Sequence, residues 1–172
     1  MIKKFLILSV LLSSILMYSQ ELKTITHEKY EIKVPEKWEE NKMFYSSSLS
    51  LMVLKPKSET DLNPVEGIVI KHVKSQKTEF NSGYQEYISL LKGYYKENFK
   101  IVETENLVSN KHPIRKIITE IKSKINGKKR KNIMIYSFRN NESLMITLTG
   151  TKENFEKNIN LYERIYKSLI IK

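Results

Sequence analysis

Cysteine is missing from all 172 residues of this chain. That excludes disulfides, thiol catalysis and thiolate-bound metals together, and it removes the acceptor for a lipid anchor near the N-terminus. Aspartate is nearly as scarce. Asp61 stands alone, so a calcium loop of the EF-hand type, which needs several carboxylates at close spacing, cannot be built. The three histidines, His27, His72 and His112, are far apart and form no HExxH or paired spacing. A zinc site assembled from distant residues has no local support. Gly67, Gly83, Gly93, Gly127 and Gly150 are scattered, which leaves no P-loop, dinucleotide fingerprint or GxSxG elbow. The sequence therefore implies no cofactor and no metal.

Long apolar runs are absent with one exception. Residues 5–17 are apolar apart from Ser9, Ser13 and Ser14, behind a short positive region of Lys3 and Lys4. This is the length of a signal-peptide core and too short to span a bilayer comfortably. The expectation is a cleaved leader over residues 1–19 and a single domain over 20–172. Ser19 is a small residue at the cut, whereas Met17 suits the position three residues before it poorly. An uncleaved N-terminal anchor is the alternative. Once the leader is removed, no transmembrane span is expected, and the destination is periplasm or medium.

Charge is what the chain has in excess. Thirty basic residues against 19 acidic give a formal +11. Such an exported chain could face anionic lipid, glycan, an acidic protein or nucleic acid. Nucleic acid is set aside, because the cations are nearly all lysine. Arginine, which suits bidentate phosphate and base recognition, occurs only at 115, 130, 139 and 164. A domain of this size buries enough surface to fold without staples.

The hydrophobic pattern predicts mostly strands. Tyr30, Ile32 and Val34 alternate and Pro35 stops them. Short strands follow at 44–46 and at Leu49, Leu51 and Val53. Residues 56–66 read as an exposed loop. Ile68, Ile70 and His72 share one face of a strand over 67–74. The period then changes. Ser82 and Gln85 read as a capping box, and Tyr84, Tyr87, Ile88, Leu91 and Tyr95 make an amphipathic helix over 83–98. Gly93 inside it suggests a close packing contact. Strands at 101–108, 114–125 and 129–139 follow, the last two joined by an Asn126-Gly127 turn. Asn140-Asn141 turns into a strand carrying Leu144, Ile146 and Leu148. Thr151 can cap a last helix with Phe155, Ile159, Tyr162, Tyr166 and Leu169 on its inner face. Hairpins dominate, so the class is α+β with an antiparallel sheet. Strand faces at least half apolar on both sides call for helices above and below it.

Four features are candidates for a site. His72 sits beside Ile68 and Ile70; the competing reading is a core histidine with one hydrogen bond. Glu103 and Glu105 share a strand face, with Glu120 on a neighbour, as paired carboxylates of a hydrolase would. Against that, these segments are lysine-rich and read as solvent faces. Lys124, Lys128, Lys129, Arg130 and Lys131 bracket the Asn126-Gly127 turn, where they must raise a strong positive potential. They fit docking to an anionic surface or, alternatively, a lysine cluster that guards a strand edge. Finally, Tyr84, Tyr87, Tyr94 and Tyr95 crowd one helix and cannot all enter one core stripe. Tyr94 is expected at its border or in a groove.

Element order and one turn together resemble the PsbP-like superfamily. The first strand runs into Val34-Pro35-Glu36-Lys37-Trp38, a helix follows around Tyr87, Ile88 and Leu91, and long hairpin strands come next. A strand at 144–148 and a closing helix ending at 166–169 complete the likeness, which spans the whole mature domain. The resemblance implies an α/β/α sandwich. It also implies accessory or binding roles without catalysis, as for extrinsic photosystem subunits, a regulator of a small GTPase and bacterial envelope proteins. Nothing in the sequence ties it to photosynthesis, and a fold alone confers no function. The expectation is an exported, non-catalytic binding or accessory protein of the envelope, with an exported hydrolase as the alternative.

Overall fold

The structure is a computed structural model that describes residues 20–42, 46, 48–56, 66–122 and 127–172. The predicted leader, most of the predicted strand at 44–46, most of the predicted loop at 56–66, and Lys124 with Asn126 lie outside the described residues.

The chain opens with β1 (Leu22–Thr26) and β2 (Tyr30–Pro35), which pair antiparallel. Strict alternation buries Tyr30, Ile32 and Val34 completely. The Trp38 N–H then donates to the Pro35 carbonyl at 3.0 Å, closing the turn that drops Trp38 into the core. Next come β3 (Glu39–Glu40), β4 (Leu49–Leu54), β5 (Gly67–Lys74) and the helix α1 (Phe80–Tyr95). A 3-10 turn leads into β6 (Phe99–Ser109), β7 (His112–Lys122), β8 (Lys129–Arg139) and β9 (Glu142–Thr151). Two helices, α2 (Lys152–Lys157) and α3 (Ile159–Lys167), precede β10 (Ile170–Ile171).

Seven strands form one antiparallel sheet in the order β3-β4-β5-β9-β8-β7-β6. The Asn140-Asn141 turn is found as predicted, with both residues at positive φ, and Asn110-Lys111 makes the same turn between β6 and β7. Such turns match the twist of the strands they join. β8 is buried without a break from Asn132 to Phe138, so both sheet faces are covered there. On one face, Ile133, Ile135, Ile146 and Leu148 pack with Phe155, Tyr162 and Ile165 of α2 and α3. On the other, Met134, Tyr136 and Phe138 pack against Tyr84 and Ile88 of α1. This is the expected α/β/α sandwich, with one addition. β1, β2 and β10 form a separate three-stranded sheet that shares the face of α2 and α3.

Local details depart from expectation in three places. Helix α1 begins at Phe80, with Glu79 at the N-cap position but making no side-chain cap, and Ser82 lies inside it, with its hydroxyl donating back to the Glu79 carbonyl at 3.0 Å. The start moves earlier because Phe80 packs edge-on against Tyr136, ring centroids 5.4 Å apart. The close-packed glycine is Gly83, not Gly93. A Cβ on Gly83 would lie 2.5 Å from the Tyr136 Oη, whereas one on Gly93 would meet nothing within 4 Å. Thr151 does cap α2, accepting from the Asn154 N–H at 3.2 Å, but the closing helix is broken in two at Asn158.

Candidate binding groove

Seven strands about 4.8 Å apart make a face about 29 Å wide. One helix with its side chains is about 10–12 Å across. On the α1 side a single helix is therefore too narrow to cover the sheet. Helix α1 lies over the β6–β8 half, where Ile101, Ile117, Met134, Tyr136 and Phe138 receive it. Toward β5 and β9 none of the described helices covers this face of the sheet, and a groove of about 480 Å³ runs between it and the helix flank.

The floor comes from the alternate residues that the pleat sends to this side: Val69 on β5, Met145, Thr147 and Thr149 on β9, and, where it runs in toward the helix, Asn132 and Met134 on β8 and Ile121 on β7. The wall is Tyr87, Leu91, Tyr94 and Tyr95. Tyr94 is 69% exposed and stands edge-on to Tyr95 at 4.8 Å. Leu90, on the same flank by helical phase, is 66% exposed. Arg130 and Lys71 line the groove, and no carboxylate among the described residues does. Burial, reinforced by Tyr95, pushes the Tyr87 hydroxyl well above its ordinary pKa. Burial and Tyr94 raise that of Tyr95, against the opposing pull of Arg130. Both hydroxyls stay protonated near neutrality and can donate or accept, while neither is poised as a nucleophile. The groove offers amphipathic aromatic contact and positive charge, which suits binding.

The predicted site residues fall differently. The carboxylates of Glu103 and Glu105 do share a face, but both hold the Lys116 ammonium, at 3.3 and 2.5 Å. Burial pulls Lys116 down, yet the Glu105 contact, Tyr166 and Glu103 outweigh it and leave its pKa above the usual value. The two carboxylates converge on one ammonium and are about half exposed, at 52% and 46%, with neither among the residues that line the groove.

His72 is brought against His27 and Tyr30 in a stack, with centroids 5.6 and 5.9 Å away. Its Nε2 is buried without a hydrogen-bond partner. Burial first, then the charges of Lys29 and His27, hold His72 below the ordinary imidazole value, against Glu142 and Glu28. Among the described residues, no group of three or more His, Cys, Asp or Glu side chains is placed to hold a metal ion. Glu66 is a buried carboxylate that the sequence did not single out. Asn158 and Tyr162 donate to its Oε1 at 2.9 and 3.3 Å, while its Oε2 accepts no hydrogen bond and is balanced by the Lys55 ammonium as an ion pair at 2.6 Å, which makes it a structural tie between the start of β5 and α3.

The basic cluster is divided by its own strand. Lys128 and Lys129 are exposed near the hairpin tip. Arg130 points into the groove. Lys131 points the other way, toward α2, 5.3 Å above the Phe155 ring and 4.0 Å from the Glu156 carboxylate.

The sequence matches no family model and no curated protein. Solved structures match over 83–90% of the chain and share its fold, which in this chain is an α+β sandwich with one helix backing part of a broad antiparallel sheet. The fold is the PsbP-like fold. The chain is similar to cyanobacterial PsbP (CyanoP) from Synechocystis, with a TM-score of 0.65 at 8% identity over 90% of this chain and 94% of that one. It is similar to the Ran-binding protein Mog1p of Saccharomyces cerevisiae, with a TM-score of 0.62 at 7% identity, covering 89% and 96%. It is also similar to LpqN, involved in cell envelope biogenesis of Mycobacterium tuberculosis, with a TM-score of 0.62 at 12% identity, covering 88% and 91%. At such identities the likeness establishes the fold alone. No helix among the described residues is long and apolar enough to cross a membrane.

Proposed function

We propose that this protein is an exported, non-catalytic binding or accessory protein of the cell envelope, and that it holds a protein partner in the groove beside α1. The observation that carries the reading is the half of the sheet that α1 leaves uncovered, walled by Tyr87, Tyr94 and Tyr95 and with no carboxylate among the described residues that line it. Apolar surface left beside half-wet tyrosines, of which Tyr94 is the exposed one, marks interaction sites more often than reaction centres. The likeness to LpqN and to CyanoP supports an envelope or accessory role. A hydrolase would need an acid and a base converging on one cavity, and the best carboxylate pair is tied to Lys116. The cations of the hairpin, Lys124, Lys128, Lys129, Arg130 and Lys131, are proposed to orient the protein toward an anionic surface. Export is supported by the N-terminal pattern, and protein from its host should have an intact mass that begins near Gln20.

The test changes only exposed side chains. Leu90→Glu with Tyr94→Glu should abolish co-purification of envelope partners with the tagged protein while leaving its thermal midpoint unchanged. Partners retained by that double variant would refute the groove as the binding site.

A further inference from the structure

The groove's shape and charge specify more than a generic partner. We propose that its occupant is an acidic amphipathic α-helix of another protein, laid alongside α1 over β5 and β9; this rests on the groove being the binding site.

Three observations converge on a helix. First, the floor is a sheet face and not a sheet edge. β5 is bonded on both sides, to β4 and β9, and β9 to β5 and β8. An extended peptide lying there would find no strand to pair with, and its backbone N–H and C=O groups would be covered without partners. A helix satisfies its backbone internally and needs only side-chain contact. Second, the space matches. α1 leaves open a strip two to three strands wide, and strands about 4.8 Å apart make that strip about as wide as one helix. An added helix would complete the layer as α2 and α3, with the small sheet, complete the opposite one. Third, the contacts are of the kind that helix-in-groove recognition uses. Met145 and Val69 beneath, and Leu91 and Tyr94 beside, would receive apolar side chains repeating at i, i+3, i+4 and i+7.

Charge sets the partner's sign. Lys71 and Arg130 border the groove, and no carboxylate among the described residues lines it, on a chain of net +11. Complementarity therefore selects an acidic helix, and a second copy of this chain would be repelled. An acyl chain fits less well, because Thr147, Thr149 and Asn132 put polar atoms along the floor and the open groove would leave much of the chain in water.

The experiment places a photoreactive benzoyl-phenylalanine at Leu90 or at Tyr94 of the full chain in its native host, with Val108, exposed on the far edge strand β6, as the control position. Cross-linked peptides are sequenced, and the captured segment is synthesised as the probe. The expected result is a net acidic segment with helical apolar spacing. It should gain helicity by circular dichroism on binding and lose about tenfold or more in affinity against Arg130→Glu. A captured segment that is basic, binds without gaining helicity or binds Arg130→Glu equally well would overturn the helix while leaving the groove as a binding site, and so would a lipid adduct. No adduct above the Val108 control would overturn both.

Discussion

Two glycines in one helix should respond oppositely to the same substitution. In Gly83→Ala the new methyl would sit 2.5 Å from the Tyr136 Oη and 3.1 Å from the Phe138 Cδ2. Tyr136 cannot swing away at little cost. It is fully buried, its hydroxyl is 3.1 Å from the Ser143 Oγ, and the rings of Phe80, Tyr84 and Tyr87 surround it. Overpacking of this kind costs about 1–3 kcal/mol, and breaking the Tyr136–Ser143 hydrogen bond adds about 1 kcal/mol. The helical preference of alanine over glycine returns about 1 kcal/mol. The net is a loss of about 1–3 kcal/mol. Gly93→Ala meets no atom within 4 Å, so only the propensity gain remains, about 0.5–1 kcal/mol of added stability. In a domain of this size each kcal/mol moves Tm by roughly 2–4 °C, so the two variants should separate by several degrees. Urea titration of both against wild type gives the free energies directly. Equal responses, or a Gly83→Ala protein as stable as wild type, would refute the packing account of α1 and with it the position of the groove wall.

Stability should also fall below neutrality through His72. Its folded pKa is depressed by burial, Lys29 and His27, so the unfolded chain binds that proton more readily. The contribution is whole above the ordinary imidazole value of about 6.5 and is lost as pH falls from there through the folded value. His72→Phe keeps the ring stacked on Tyr30 and removes the titration, so the drop in urea midpoint from pH 7 to pH 5 should shrink; an unchanged drop refutes it. Charge reversal at Lys128, Lys129 and Arg130 should abolish salt-sensitive binding to anionic liposomes without lowering Tm, and salt-independent or undiminished binding would count against the hairpin as a docking element.

What could be read from the sequence was whatever a single segment decides for itself. The two-sided apolar run of β8, the stripe of α1, the Asn140-Asn141 turn and the Thr151 cap all follow from local period or local hydrogen bonding, and together they order the elements into the sandwich. What stayed hidden depends on how distant segments close on one another. β10 is two residues long and exists because β2 offers it an edge. Gly83 and Gly93 look alike until Tyr136, on another element, is set beneath one of them. The groove's tyrosines were visible as an excess that one stripe could not absorb, but its floor is assembled from β5, β8 and β9, and the sequence separates β5 widely from the other two. One signal was present and unused. Thr147 and Thr149 lie on the outward side of a central strand and carry no charge, which is unusual for a face meant only for water.

The strand pleat turns one cationic cluster in sequence into three separate things. Successive side chains on β8 leave opposite sides of the sheet, so adjacent Arg130 and Lys131 cannot act on the same partner. Lys131 is engaged with Phe155 and Glu156 and helps seat α2. Arg130 faces the groove, close enough to lower the Tyr95 pKa against the effect of burial. Lys128 and Lys129 remain at the exposed tip. The two binding proposals therefore meet at Arg130 and nowhere else among the described residues of the cluster. A variant reversed only at Lys128 and Lys129 should weaken attachment to anionic vesicles and leave the captured peptide's affinity intact, whereas Arg130→Glu should weaken both. If the tip variant lost the peptide as well, tip and groove would have to be one continuous surface, and the separation imposed by the pleat would be wrong.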